Sequence, residues 1–147
     1  MAGHVCVDAS FAIKWILPEE FSEPADQLRT GWRRQAIALV APALFGAEVT
    51  SVIRERAYRG EMSSREASQA LEASLVWPVR LWRGNGELQR AAFDFAARFN
   101  QPQAYDAQYL ALASILGCDL WTGDRRLARS VSQELSWVRW VGEYQPA

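Results

Sequence analysis

Short apolar runs alternate with helical patterns along the whole chain, and this alternation limits the fold more than any other feature. His4-Val5-Cys6-Val7-Asp8 reads as a buried strand closed by an acid. Ser10 to Leu17 reads as a helix stopped by Pro18, and Pro24 to Gln35 as a second helix. Ala36 to Ala41 is continuously apolar and too short for a helix, so it is expected to be a buried strand. Pro42 suits a first helical turn, and apolar residues at 45, 49, 52 and 53 carry helical spacing on to Arg59, where Gly60 ends it. Ser63 and Glu66 make a capping box for a helix running to about Leu75. Pro78 to Trp82 is a strand, and Glu87 to Phe99 and Tyr105 to Leu116 are helices. Leu120 to Thr122 is a strand, Arg125 to Gln133 a helix, and Trp137 to Val141 a closing strand. Short strands without polar alternation, separated by helices, make a parallel sheet covered on both faces. The expected fold is α/β: a three-layer α/β/α sandwich around a central parallel sheet of about five strands, in one domain over residues 1–147.

Bulk properties exclude several function classes. The net charge is −1, which argues against a grip on nucleic acid driven by overall charge. Basic and acidic side chains number 16 and 17, so setting aside a few acids at a metal site leaves a mildly basic remainder. Cys6 and Cys118 are too few for a metal cluster or a disulfide framework, and read as buried reduced thiols in a cytoplasmic protein. No secretory leader is visible, and no apolar run approaches the roughly 20 residues of a membrane span, so no membrane partner is expected. His4 is the single histidine and sits at the start of the chain, so no Ser-His or Cys-His pair is available. Gly84-Asn85-Gly86 is a turn and not a dinucleotide fingerprint. Core packing accounts for most of the seven tryptophans; Trp32 and Trp82, flanked by arginine, are the ones expected to be exposed.

Four acids fall where such a sheet places its ligands, beyond the carboxyl ends of its strands. Asp8 ends the first strand, and Asp124 follows the fourth across one glycine. Asp106 and Glu48 lie early in helices that start at the same edge. Taken singly, Asp8, Asp106 and Asp124 are ordinary helix caps or first-turn charges, and Glu48 an ordinary surface acid. Taken together, four carboxylates at one edge repel unless some are protonated or a cation holds them, and an oxygen-only ligand set selects Mg²⁺ or Mn²⁺. Ser10 and Thr122 lie two residues from Asp8 and Asp124, placed to orient a carboxylate, bind a metal-bound water or cap locally. A carboxylate-held metal site suits phosphodiester hydrolysis, which needs no histidine.

At these residues the chain resembles the PIN-domain nucleases, in particular the VapC-type toxins of bacterial toxin–antitoxin pairs. Val5-Cys6-Val7-Asp8-Ala9-Ser10 resembles the family's opening strand, and Glu48-Val49-Thr50-Ser51-Val52-Ile53 its glutamate-bearing helix. Tyr105-Asp106-Ala107-Gln108-Tyr109-Leu110-Ala111-Leu112-Ala113 resembles its third acidic motif, and Leu120-Trp121-Thr122-Gly123-Asp124-Arg125-Arg126-Leu127 its terminal Thr-x-Asp motif. The resemblance implies a PIN-like fold and Mg²⁺- or Mn²⁺-dependent cleavage of RNA. It also implies a homodimer and a cognate antitoxin protein that occupies the active-site groove. Asp8, Asp106 and Asp124 would bind the metal directly, and Glu48 would bind it or position the attacking water. Two departures stand out. Ser51 takes a position where many relatives have asparagine, and no further acid follows Asp124 in its helix, so a fifth carboxylate is missing.

Arg125 and Arg126 are candidates for phosphate contacts, and Lys14, Arg54, Arg56 and Arg59 for the frame of a groove; solvated surface charge is the plain alternative for all six. Three rival readings remain at this level. One is a PIN nuclease that processes RNA without being a toxin. Another is a PIN-like module that holds RNA or a protein without catalysis. The third is an aspartyl-nucleophile phosphatase, which wants a second aspartate where this chain has Ser10.

Overall fold

A computed structural model describes residues 3–146. In chain order the elements are β1 (His4–Val7), α1 (Ala9–Ala12) continuing into a 3₁₀ turn (Ile13–Trp15), α2 (Ser22–Arg34), β2 (Ala38–Pro42), α3 (Phe45–Tyr58) and α4 (Ser64–Leu75). There follow β3 (Val79–Trp82), α5 (Gly86–Arg98), α6 (Tyr105–Leu116), β4 (Asp119–Thr122), α7 (Arg125–Val131), β5 (Val138–Trp140) and a last 3₁₀ turn (Val141–Glu143). The five strands form one sheet in the order β3-β2-β1-β4-β5, and every neighbouring pair is parallel. The expected α/β sandwich is the fold observed.

The register explains the layers. Cys6 pairs with Leu120 and Val7 with Trp121 across β1 and β4, so each pair points to an opposite face. The Cys6 thiol faces the Tyr109 carbonyl of α6, which fixes α6 on one face, with α5 packed beside it. On the other face Trp121 meets Phe11 of α1 and Trp32 of α2 at ring separations of 6.2 Å. α6 lies over β1, β2 and β4, and its Ala107, Leu110, Ala111, Leu112 and Ala113 are fully buried. Burying each of the two leucines contributes about 2 kcal/mol. The capping box at Ser63 and Glu66 is present in both directions, at 3.1 and 3.0 Å.

Three expectations need correction. Trp32 is 8% exposed, because Ala25, Leu28 and Trp32 share the inward stripe of α2 and override the neighbouring arginines. Pro42 closes β2 instead of opening a helix; it stands opposite Trp82 at the strand end, and α3 begins three residues later. β2 also starts two residues later than expected, because Ala36 adopts a left-handed φ of 55° that no strand can contain. Trp82 is exposed as expected, at 38%. Among the described residues no helix is long and apolar enough to cross a membrane.

Candidate active site

The winding of the sheet reverses between β1 and β4. From β1 the chain moves outward through β2 and β3, whereas β4 leads to β5 on the opposite side. A crevice opens beyond the strand ends at such a point, because the two following connections diverge there. Asp8 stands one residue past β1, and Thr122 is the last residue of β4.

Asp8 is 6% exposed and is held from three directions. Its Oδ1 accepts from the Phe11 backbone N–H at 2.9 Å, which caps α1, and from the Ser10 hydroxyl at 2.7 Å. Its Oδ2 accepts from the Thr122 hydroxyl at 2.5 Å. Both hydroxyls also serve the β4–α7 turn: Ser10 Oγ accepts from the Gly123 N–H at 2.9 Å, and Thr122 Oγ1 from the Asp124 N–H at 3.0 Å. Ser10 and Thr122 therefore orient one carboxylate and the backbone that carries another. Only glycine fits at 123, where a Cβ would lie 2.5 Å from the Ser10 carbonyl oxygen.

The other acids reach the same place from different elements. Asp124 is exposed and caps α7, its Oδ1 accepting from the Arg126 and Leu127 N–H groups at 2.9 and 3.2 Å. Glu48, in the first turn of α3, is half-buried and accepts a hydrogen bond from the buried Tyr109 hydroxyl. Asp106, in the first turn of α6, stands at the rim, and among the described residues no donor reaches its carboxylate. Asp8, Glu48, Asp106 and Asp124 line one open cavity of about 500 Å³.

The electrostatics follow from this crowding. Burial raises the Asp8 carboxyl from 3.8 to about 6; the Thr122, Ser10 and Phe11 hydrogen bonds oppose that rise, and the Asp106 charge adds to it. Glu48 is raised by burial, with the Tyr109 hydrogen bond pulling the other way and the charges of Asp8 and Asp106 adding to the rise. Asp106 is raised by desolvation and by Asp124. Burial and the Glu48 carboxylate hold the Tyr109 phenol in its protonated, donating form. This is a donor set of carboxylates short of positive charge, and in kind it fits a hard divalent cation. Among the described residues no three acids already close around one point. Three of the four, Asp8, Glu48 and Asp124, have an oxygen occupied by hydroxyl or backbone donors.

Sequence spacing left Tyr109 unassigned, although it sits three residues after Asp106 and hence on the same helical face. Ser51 and Tyr105 also line the cavity, and Glu55, two turns after Glu48, brings a further carboxylate to its lip. An ion pair between Glu55 and Arg59 offsets that charge. Lys14 does not face a groove: it is 9% exposed, and its Nζ is bound by Glu19 at 3.0 Å and by the Glu20 carbonyl at 2.8 Å. Arg56 pairs with the same Glu19 at 2.6 Å, whereas Arg54 is exposed and lies over the Tyr58 ring. Arg125 and Arg126 remain exposed beside Asp124.

Comparison with known proteins agrees with this fold. Residues 5–131 match the PIN domain. Ribonuclease VapC9 of Mycobacterium tuberculosis is 32% identical over 127 residues, covering 84% of this chain and 88% of the relative. Ribonuclease VapC3 of Pyrobaculum aerophilum is 34% identical over 130 residues, covering 83% and 90%. Among solved structures, M. tuberculosis VapC20, a sarcin–ricin-loop-cleaving toxin, superposes with a TM-score of 0.65 at 18% identity, covering 92% of this chain and 98% of that one. A toxin–antitoxin complex from Klebsiella pneumoniae gives 0.60 at 14% identity, covering 89% and 92%. The chain thus belongs to the PIN-domain family, within the group that holds the VapC ribonucleases.

Proposed function

We propose that the chain is a divalent-metal-dependent endoribonuclease acting as the toxin of a toxin–antitoxin pair. One observation carries the reading: four acids from four separate elements line one cavity at the reversal of the strand order. In this reading the whole chain is one nuclease domain, and Asp8, Glu48, Asp106 and Asp124 would hold Mg²⁺ or Mn²⁺. Bound there, the ion would supply an activated water and stabilise the leaving oxygen.

The chain's own residues do the remaining work. Thr122 and Ser10 fix the plane of the Asp8 carboxylate, so that little reorganises when a cation arrives. Tyr109 holds Glu48 toward the cavity. Asp106, free of internal donors, is the acid able to turn toward a ligand. Arg125 and Arg126 flank Asp124 and would take backbone phosphates. The same acids repel a polyanion when no cation neutralises them, which ties RNA binding in the cavity to metal occupancy.

The resemblance to VapC toxins adds three partners: RNA, a cognate antitoxin and a second copy of the chain. Light scattering at micromolar concentration tests the homodimer, and a monomer mass counts against it. A small reading frame directly upstream supports the toxin role; its absence favours RNA processing. The enzymatic core of the reading is tested with purified protein, RNA and Mn²⁺. Cleavage is expected from wild type and not from Asp8→Asn or Asp106→Asn. Equal behaviour of all three on RNA would sink the reading in favour of a binding module, and an acyl-phosphate trapped on Asp8 would point to a phosphatase.

A further inference from the structure

The outer face of α7 carries a second charged surface beside the acid cavity. Arg125, Arg126, Arg129 and Ser130 alone line an open depression of about 560 Å³. All four side chains are exposed. Among the described residues none of the three arginines has a carboxylate within ion-pair distance, whereas Arg56, Arg59, Arg98 and Arg139 each do. The neighbouring Asp124 does not compensate them, since its Oδ1 is turned onto the backbone of α7. Arg125 and Arg129 are four residues apart on one helix, where like charges repel. An anion in the depression would remove that repulsion.

One of the three is already held in place. The Arg125 guanidinium lies 5.1 Å from the centre of the Trp140 ring, and Phe21 meets the same ring edge-on at 5.3 Å. Gly142 makes room for the indole, since a Cβ there would overlap it. This stacking restrains a long side chain that would otherwise lose conformational freedom on binding.

We propose that the Arg125–Arg126–Arg129 face of α7 is a phosphate-binding subsite for the RNA strand as it leaves the acid cavity. The proposal rests on the ribonuclease reading above and extends it to a track outside the cavity. Asp124 lines the cavity and immediately precedes Arg125, so the two surfaces adjoin. From Arg125 to Arg129 the helix rises about 6 Å, which spreads the guanidiniums along a line. Guanidinium forks suit phosphate oxygens. The depression offers no apolar side chain to anchor a protein, and protein interfaces depend on such anchors. A polynucleotide backbone is therefore favoured over an acidic protein segment.

The test is salt-dependent binding of a short fluorescent single-stranded RNA to the full chain in chelator, so that no cleavage occurs. Each phosphate contact on a single strand contributes about 0.7 to the slope of log affinity against log salt. R126A/R129A is expected to lower that slope by about 1.4 and to weaken binding roughly tenfold at low salt. R126K/R129K is expected to restore the slope, because the slope counts charges. Unchanged circular dichroism and melting temperature show that both variants fold, and R129E serves as a second variant should either fail. An unchanged slope in R126A/R129A overturns the subsite. So does a wild type that binds no RNA, or arginine dependence seen only for polyglutamate. If wild type cleaves RNA with Mn²⁺ and the slope is unchanged, the subsite alone fails. If cleavage is absent but the slope falls, the ribonuclease reading alone fails.

Discussion

Thr122 Oγ1 donates to Asp8 Oδ2 at 2.5 Å and accepts from the Asp124 N–H at 3.0 Å, so one buried hydroxyl connects two acids of the cavity. Thr122 is fully buried. Thr122→Val keeps the shape and removes both bonds; it is expected to cost about 2–3 kcal/mol, since a hydrogen bond to a charged group is lost. Thr122→Ser keeps the hydroxyl and gives up one methyl, at about 1 kcal/mol. Urea unfolding decides: a valine variant as stable as the serine variant contradicts this role.

The raised Asp8 carboxyl sets a pH dependence. The folded chain holds its proton up to about 6, whereas the unfolded chain releases it near 3.8. Between these values the folded state binds more protons, so stability falls as pH rises. The contribution is complete below about 4, lost by about 6, and at most about 3 kcal/mol. Glu48 and Asp106 are shifted in the same direction. In chelator, Asp8→Asn is therefore expected to flatten the stability profile over this window and to unfold at a higher temperature than wild type at neutral pH. Calorimetry across the window checks both, and a wild type that gains stability from pH 4 to 6 relative to Asp8→Asn reverses the sign.

Tyr109 is 1% exposed and its hydroxyl serves Glu48. Tyr109→Phe leaves the ring in place and releases the carboxylate. Loss of a partner that orients a ligand typically costs about 10–100-fold in metal affinity or activity. The expected result is a higher Mn²⁺ requirement for RNA cleavage with the fold intact. Metal titration of the rate reads it directly, and an unshifted titration curve would remove Tyr109 from the site.

Gly123→Ala places a methyl 2.5 Å from the Ser10 carbonyl oxygen. The β4–α7 turn must then move away from α1, drawing the Gly123 N–H off Ser10 and displacing Asp124. A loss of about 2–3 kcal/mol is expected, together with loss of cleavage. Alanine tolerated without change in melting temperature would mean that the turn has room to spare.

The fold was largely readable because its strands are short, apolar and bounded by proline, glycine or acid, as β1 and β4 illustrate. The acids were readable because each stands at a strand end or in a first helical turn. Trp32 was misread from its arginine neighbours, although its spacing from Ala25 and Leu28 carried the correct face. Lys14 was misplaced because nothing local reveals that Glu19 and the Glu20 carbonyl close around it. Tyr109 meets Glu48 across 61 positions, a contact that only the packing of α6 against the sheet creates.

That long span also bears on how the protein is made. The Asp8–Thr122 contact joins residues separated by 114 positions, so β1 must wait for β4 before its acid is oriented. Closing so large a loop is an entropic cost met only when most of the chain is present. On the ribosome, the amino-terminal half emerges with Asp8 and Glu48 but with neither Asp106 nor Asp124. The four-acid cavity thus comes into being near the end of translation, and a chain that stops before Asp106 lacks two of its four acids.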